Sequence, residues 1–309
     1  MKNKKTNAPE PRLDAKTFQR PLGDLTNTIA LKVQREGRSR LPKPIFVIPD
    51  IYYLLRQSHQ TYNLFCFMNA DDRRQKDPDY RVAYSAAILP LVRTMIDCLY
   101  NITAILKSPG PKGYQFRESG LKQMLNALDA DEQRYGGDPK WDDWIKRLRD
   151  YIDLDMRRTN ITEAEVKAAK LWPTLSTYLR PKKNMPLTAH QQFLKKLTYG
   201  FWQEYSGISH ATFQGLLPIA AFFVPNDLPH ELRPIIESHA EDLISIHVPR
   251  VAAILLCTLT ELQSFFKFDG ARINERLHKV WDALLVAPEI KELYDERYAE
   301  LMREKGINP

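Results

Sequence analysis

Cysteine is scarce in this sequence, and no two cysteines lie close enough to form a metal-binding or redox motif. Only Cys66, Cys98 and Cys257 occur in 309 residues, each among apolar neighbours. An odd number of cysteines without a CxxC pair argues against a disulfide framework and against a structural zinc site. We therefore expect reduced, buried thiols and a cytoplasmic protein.

Long apolar runs are also missing. The longest, Val251–Cys257, continues through Leu259 and Leu262 but is interrupted by Glu261. It is shorter than the roughly 20 residues that a membrane-spanning helix needs. The N-terminus lacks the apolar segment of a secretory signal. The run predicts a buried core helix, and we expect a soluble chain with no membrane partner.

Familiar catalytic motifs are absent as well. The chain has no glycine-rich phosphate loop and no GxGxxG, GxSxG or HExxH motif, which mark nucleotide-binding, hydrolase and zinc-protease sites. The seven histidines show no ligand spacing, since His230, His239 and His247 are nine and eight residues apart. We expect no cofactor and no bound metal.

The excess of positive charge is confined to the N-terminal segment. Residues 1–45 contain eleven Lys/Arg and four Asp/Glu, which accounts for the whole net charge of +7 and leaves residues 46–309 formally neutral. Two interpretations are open. The segment is either a basic arm that contacts phosphates or acidic surfaces, or a solvated, flexible leader.

Apolar residues recur at helical spacing through most of the remaining chain, and the only doubtful strand is Ile45–Ile48. Capping boxes at Thr162–Glu165 and Thr188–Gln191 indicate helix starts, whereas Ser108–Gly113 (SPGPKG) predicts a loop. We predict an all-α, multi-helix bundle with peripheral helices. The expected domains are a flexible arm over residues 1–45 and one helical domain over 46–309, with its core at about 50–265 and C-terminal helices at 266–309.

A polar stripe crosses the first long helix. Arg93, Asp97 and Asn101 follow one another at intervals of four residues, so they share one face of a helix that is otherwise apolar. One interpretation is a structural ion pair that tethers neighbouring helices. The other is a guanidinium that Asp97 holds so that it points at an anion, most plausibly a phosphate.

A second polar stripe contains Gln203, Ser206, His210 and Gln214, at spacings of three, four and four residues. An isolated helical histidine is often a structural residue. Here a hydroxyl lies one turn before it and an amide one turn after it, and both suit an imidazole held in place for proton transfer.

At these residues the chain resembles the HEPN-like helical families of bacteria, some of which are allied to abortive-infection and defence proteins. An Arg-x-x-x-Asp pair in a long helix and a later Ser-x-x-x-His element carry the resemblance, here Arg93–Asp97 and Ser206–His210. It covers roughly residues 50–265. The resemblance implies a helical bundle, often dimeric. In many relatives an arginine and a histidine form a metal-independent ribonuclease site, while others are non-catalytic binding modules.

The usual spacing in that superfamily places a histidine four to six residues after a local arginine. Only Arg233 and His239 satisfy it here, and Pro234 stands where the family prefers a polar residue. The expected catalytic site is therefore Arg93, Asp97, Ser206 and His210. His210 would act as the general base, and Arg93 would stabilise charge on the phosphoryl oxygens.

The partners expected from this interpretation are RNA or another nucleic acid, a protein partner, and a second copy in a homo-oligomer. The competing hypothesis is a non-catalytic interaction or sensor module in which both stripes are buried tethers. Trp141, Trp144 and Tyr135, beside Gly136–Gly137, are either a partner surface or covered core aromatics.

Overall fold

The computed structural model describes residues 15–41, 46–69, 78–181, 185–202 and 233–303, with side chains over 17–41, 46–67, 90–181, 185–201 and 246–302. Every regular element in these ranges is a helix and none is a strand. The prediction of an all-α, multi-helix bundle is therefore confirmed.

The helices, numbered in chain order, have the following bounds. They are α1 (Ala15–Arg40), α2 (Val47–Asn69), α3 (Pro78–Leu106), α4 (Pro109–Tyr135), α5 (Pro139–Thr159), α6 (Glu163–Ala168), α7 (Leu175–Tyr178), α8 (Ala189–Leu197), α9 (Arg233–Phe266), α10 (Gly270–Leu284), α11 (Pro288–Leu293) and α12 (Ala299–Arg303). Two wider π-helical turns, π1 (Thr198–Trp202) and π2 (Tyr294–Tyr298), continue α8 and α11.

The chain forms two compact units. Unit 1 comprises residues Met1–Lys32, Tyr53–Tyr100 and Pro181–Pro309, and unit 2 comprises Val33–Tyr52 and Asn101–Arg180. None of the unit boundaries falls between residues 45 and 46, where the sequence predicts a domain boundary.

Most of the segment expected to be a flexible arm is a packed helix. Helix α1 begins at Ala15 and ends at Arg40, and one face of it is apolar and buried. They recur every three or four residues, at Phe18, Leu22, Leu25, Ile29 and Val33, which is the period of one helix face. The basic residues obscured this pattern in the sequence, because Arg20, Arg35, Arg38 and Arg40 occupy exposed positions of the same helix. Residues 1–14 and 42–45 lie outside the described part of the chain.

Unit 2 is built around the hairpin of α4 and α5. Asp138 caps α5 by accepting from the backbone N–H of Lys140, and Pro139 occupies the first turn. Asn160 ends α5 in the left-handed conformation at φ 56°. The apolar core of this hairpin contains Leu121, Leu128, Ile145, Ile152, Ile161 and Val166.

The prediction of a loop at Ser108–Gly113 is wrong, because α4 begins at Pro109. Pro109 and Pro111 fall in the first turn, where a missing N–H breaks no helical hydrogen bond. Gly113 is buried against α2: a Cβ atom there would lie 2.2 Å from Val47 Cγ2. The glycine therefore serves close helix packing and not a turn. Val47 and Ile48, expected to be extended, form the first turn of α2.

In unit 1, α9 is the central helix, and its segment Val251–Leu262 is buried throughout. Helix α10 packs on it, and the Trp281 indole donates to Thr260 Oγ1 at 3.1 Å. Gln263 extends the contact by donating to the Phe268 carbonyl at 2.8 Å. The side chains of α8 and π2 meet where Phe193 and Tyr298 form an edge-to-face pair, with ring centroids 5.5 Å apart.

Candidate functional site

Arg93 and Asp97 lie one turn apart on α3, in unit 1, and both are half-buried. Their neighbours Met95, Ile96 and Leu99 are fully buried, so the pair borders the apolar interior. Burial raises the pKa of the Asp97 carboxyl group, and the charge of Arg93 lowers it in part. The two side chains therefore act on each other electrostatically in a partly desolvated position.

This arrangement has a defined chemical use. A guanidinium carries five N–H donors in a rigid fork, so it can bind a carboxylate and a phosphate at the same time. A carboxylate that accepted from one edge of the guanidinium would limit the rotamers of the arginine and direct its remaining donors. The pair is suited to holding an anion, and equally suited to a structural tether.

Asn101, the third residue of the first stripe, belongs to unit 2. Its Oδ1 accepts a hydrogen bond from the Trp172 indole at 2.8 Å. Trp172 also packs edge-to-face on Phe116, with centroids 5.3 Å apart. Asn101 thus has a structural role in unit 2, and it is not part of the expected catalytic set.

Ser206 and His210 lie outside the described residues, as do Gln203 and Gln214. The structure describes the segment before them, residues 185–202. Thr188 and Gln191 form the predicted capping box that begins α8, and this prediction is confirmed. Phe193, Leu194 and Leu197 then bury one face of the helix. Arg233 and His239 belong to α9, and their side chains lie outside the part of the structure that is described.

A buried acid–arginine–acid cluster in unit 2 was missed by the sequence analysis. Arg117 of α4 donates from Nη2 to Asp50 Oδ1 of α2, and from Nη1 to Asp155 Oδ2 of α5 at 3.0 Å. The arginine, Asp50 and Asp155 side chains are 18%, 9% and 14% exposed. Residues this far apart in sequence give no local pattern, so only the fold reveals the cluster.

The electrostatics of this cluster are unusual. The pKa of Asp50 is raised to about 7, chiefly by burial, with a further contribution from the negative charge of Asp155, although Arg117 lowers it. Asp50 Oδ2 has no hydrogen-bond partner among the described residues. A carboxyl group with a pKa near neutrality can hold or release a proton under physiological conditions.

A second buried network in unit 1 joins α9 to π2. Arg297 donates from Nε and Nη2 to the two carboxylate oxygens of Glu261, at 2.5 and 2.9 Å. The Tyr298 hydroxyl donates to Glu261 Oε1 at 3.2 Å. Tyr298 is fully buried. Every member has a partner inside the protein, which is typical of a structural clamp.

Two aromatic residues proposed as a partner surface are exposed. Trp141 and Trp144 on α5 are 38% and 48% exposed. Trp141 stacks on Tyr135, with ring centroids 4.3 Å apart, and Trp144 donates from its indole to Asp131 Oδ2 at 3.4 Å. Neither tryptophan is a covered core residue.

Cys98 and Cys257 are buried free thiols and Cys66 is a half-buried one. The described ranges contain no group of three or more His, Cys, Asp or Glu side chains placed to hold a metal ion. Within those ranges Ile246–Phe266 is long and apolar enough to cross a membrane, but 78% of its most apolar window is buried inside the protein.

No protein-family model matches this sequence, and no curated protein or solved structure is significantly similar to it. The resemblance to HEPN-like families therefore depends on Arg93, Asp97, Ser206 and His210 and on the helical fold.

Proposed function

We propose that this chain is a HEPN-like helical protein of a bacterial defence or toxin-type system, and that it binds and cleaves RNA without a metal ion. One observation carries the proposal. Arg93 is held half-buried on α3 with Asp97 one turn away, where the charge of the arginine acts on the carboxyl group. This supports a guanidinium fixed in position for a phosphate group.

The proposed roles follow from the chemistry of each side chain. Asp97 positions Arg93, and Arg93 stabilises the charge that develops on the phosphoryl oxygens. His210 takes the proton from a ribose 2′-hydroxyl, because an imidazole exchanges protons near neutral pH. Ser206 orients His210 or contacts the phosphate. The basic residues of the N-terminal segment increase the rate of encounter with RNA in a salt-dependent way.

The experiment is RNA cleavage in the presence of a chelator. Wild type is compared with His210→Ala, Arg93→Ala and Arg93→Lys, and the matched control is Arg272→Ala, which removes an exposed arginine from α10. Cleavage should survive in the control and be lost in the two alanine variants at the site. Arg93→Lys should retain only part of it, because a lysine lacks the bidentate fork. Equal cleavage by wild type and His210→Ala would contradict the proposal. Absence of cleavage by both proteins would contradict it as well.

A non-catalytic interaction or sensor module is the second candidate function. The burial that raises the pKa of Asp97 favours it, since partly desolvated opposite charges on one helix face can also tether neighbouring helices. In that case Arg93→Ala leaves a partly buried carboxylate uncompensated and lowers the free energy of unfolding by up to about 3 kcal/mol. A thermal melt separates the two candidates: a small loss of stability with lost cleavage indicates catalysis.

A further inference from the structure

The outer face of α5, in unit 2, carries a row of exposed side chains. We call this row the α5 stripe, and it consists of Lys140, Trp144, Arg147, Tyr151, Leu154 and Arg158, all of them exposed. Its apolar members are unusually open for their size: Trp144 is 48%, Tyr151 55% and Leu154 48% exposed.

The spacing puts these residues on one side of the helix. Successive members are three or four residues apart, which is the period of a single helix face. From Lys140 to Arg158 the stripe extends over about 27 Å of helix. Helix α5 turns a different side, with Ile145, Ile152 and Thr159, towards the core of unit 2. The packing of unit 2 therefore leaves the stripe available to a partner.

The residue types are those that contribute most to binding at protein interfaces. Tryptophan, tyrosine and arginine are enriched among the residues whose truncation costs the most affinity. Alternation of three- and four-residue steps is also the pattern by which two helices pack along a seam. Arg147 donates from Nε to the Asp143 carbonyl of its own helix at 3.1 Å, which holds its guanidinium on this surface.

The charges of the stripe select the partner. Lys140, Arg147 and Arg158 are its only ionised members, and all three are positive. We propose that the α5 stripe binds an amphipathic α-helix of a partner protein, with aliphatic residues facing Trp144, Tyr151 and Leu154 and with Asp or Glu facing the three cations. Such a helix supplies both the seam packing and the opposite charge. The proposal depends on neither of the two candidate functions above.

A second copy of this chain fits the stripe less well. Antiparallel pairing of two α5 helices about residue 149 places Lys140 opposite Arg158, and parallel pairing places each cation opposite itself. Both arrangements bring like charges together. RNA fits less well too, because Leu154 offers a nucleic acid neither a charge nor an aromatic ring on which a base can stack, whereas aliphatic residues of a helix can cover it.

The test uses two synthetic 21-residue helical peptides with leucine at heptad positions a and d. One carries glutamate at positions e and g, and the other carries lysine there. Binding to the full chain is followed by the anisotropy of a dye on the peptide. Three variants are compared with wild type: Trp144→Ala, Arg147→Glu with Arg158→Glu, and Lys146→Glu as the control. Lys146 is an exposed cation of α5 outside the stripe.

Wild type should bind the glutamate peptide and not the lysine peptide. Trp144→Ala should weaken this binding by roughly tenfold or more, the double charge reversal should transfer the preference to the lysine peptide, and Lys146→Glu should change little. Equal binding of both peptides, no binding, or an equal effect of Lys146→Glu would overturn the proposal. A wild-type dimer that Trp144→Ala dissociates would assign the stripe to a second copy. Binding of single-stranded oligouridine that the double charge reversal abolishes would assign it to RNA.

Discussion

The guanidinium of Arg117 lies against the carboxyl group of Asp50 inside unit 2, yet the pKa of that carboxyl is raised to about 7. Burial outweighs the attraction of the arginine, and the negative charge of Asp155 on the other side of the guanidinium adds to the effect. One cation thus compensates two buried carboxyl groups that belong to different helices. This relationship leads to two predictions about stability.

Arg117→Met should destabilise the protein strongly. Methionine keeps most of the side-chain volume but leaves Asp50 and Asp155 buried without a cation, and loss of one partner of a buried pair typically costs about 3–5 kcal/mol. Urea unfolding measures the loss. Adding Asp50→Asn should recover part of it, because the double variant removes one uncompensated charge. Arg149→Met is the control: Arg149 pairs with Glu132 but is 57% exposed, so it should cost less than about 1 kcal/mol. A similar loss in both single variants would contradict the argument.

The stability of unit 2 should depend on pH through the titration of Asp50. Between its ordinary pKa of 3.8 and the folded-state value of about 7, the folded protein holds a proton that the unfolded chain has released. The folded state then binds more protons, so this group makes the free energy of unfolding decrease as the pH rises through that window. Asp50→Asn should remove this contribution. Amide hydrogen exchange of α4 from pH 4 to 8 measures it, and an unchanged slope in the variant would show that Asp50 does not titrate there.

His247 in unit 1 should have the opposite effect. Burial lowers its pKa from 6.5 to about 3, with a smaller contribution from the charge of Arg250. Between these values the unfolded chain binds a proton that the folded state does not, so stability is lost as the pH falls below about 6.5. The protection factors of the α9 amides, which correct for the intrinsic pH dependence of exchange, should fall over this range in wild type and less so in His247→Gln. If the variant retains the full acid sensitivity, other groups are responsible.

Two glycines of α4 should respond in opposite directions to alanine. A Cβ at Gly113 would meet Val47 Cγ2 at 2.2 Å, whereas a Cβ at Gly120 meets nothing within 4 Å. Gly113→Ala should therefore destabilise by about 1–3 kcal/mol through overpacking, and Gly120→Ala should stabilise by about 0.5–1 kcal/mol through helix propensity. Denaturant unfolding checks both. Val47→Ala should relieve Gly113→Ala in a double-mutant cycle, and additive effects of the two substitutions would contradict the contact.

Local signals in the sequence predicted local structure well. The capping boxes at Thr162 and Thr188 begin α6 and α8 as expected, with side chain and backbone reciprocally bonded. Each depends on residues three positions apart, so no tertiary information was needed. The all-α class followed in the same way from helical periodicity.

The failures have identifiable physical causes. The sequence SPGPKG has the composition of a loop, but Pro109 and Pro111 are tolerated in a first helical turn, and Gly113 is required by Val47. Helix α1 was hidden because its basic residues dominate the composition while its apolar face is buried. The Asp50–Arg117–Asp155 cluster joins three helices, and residues 67 and 38 positions apart leave no pattern in a single sequence.

For the candidate site, spacing alone identified Arg93 and Asp97 as one-turn neighbours on a helix, and they do share α3 in a half-buried position. Local spacing also suggested Asn101 as a third member of the stripe. In the structure Asn101 has a different role, since its side-chain oxygen accepts a hydrogen bond from the Trp172 indole within unit 2. Whether a polar side chain serves chemistry or packing depends on its partners in three dimensions, which helical spacing does not specify.

The most direct test of the proposed function is the rate of RNA cleavage by wild type and by His210→Ala, each with a chelator present and each shown by circular dichroism to be folded. The proposal predicts cleavage by wild type that the chelator leaves unchanged and that His210→Ala reduces by at least about 100-fold, the usual contribution of a general base. Cleavage of equal rate in the two proteins, or abolished by the chelator, would contradict a metal-independent site built on Arg93 and His210.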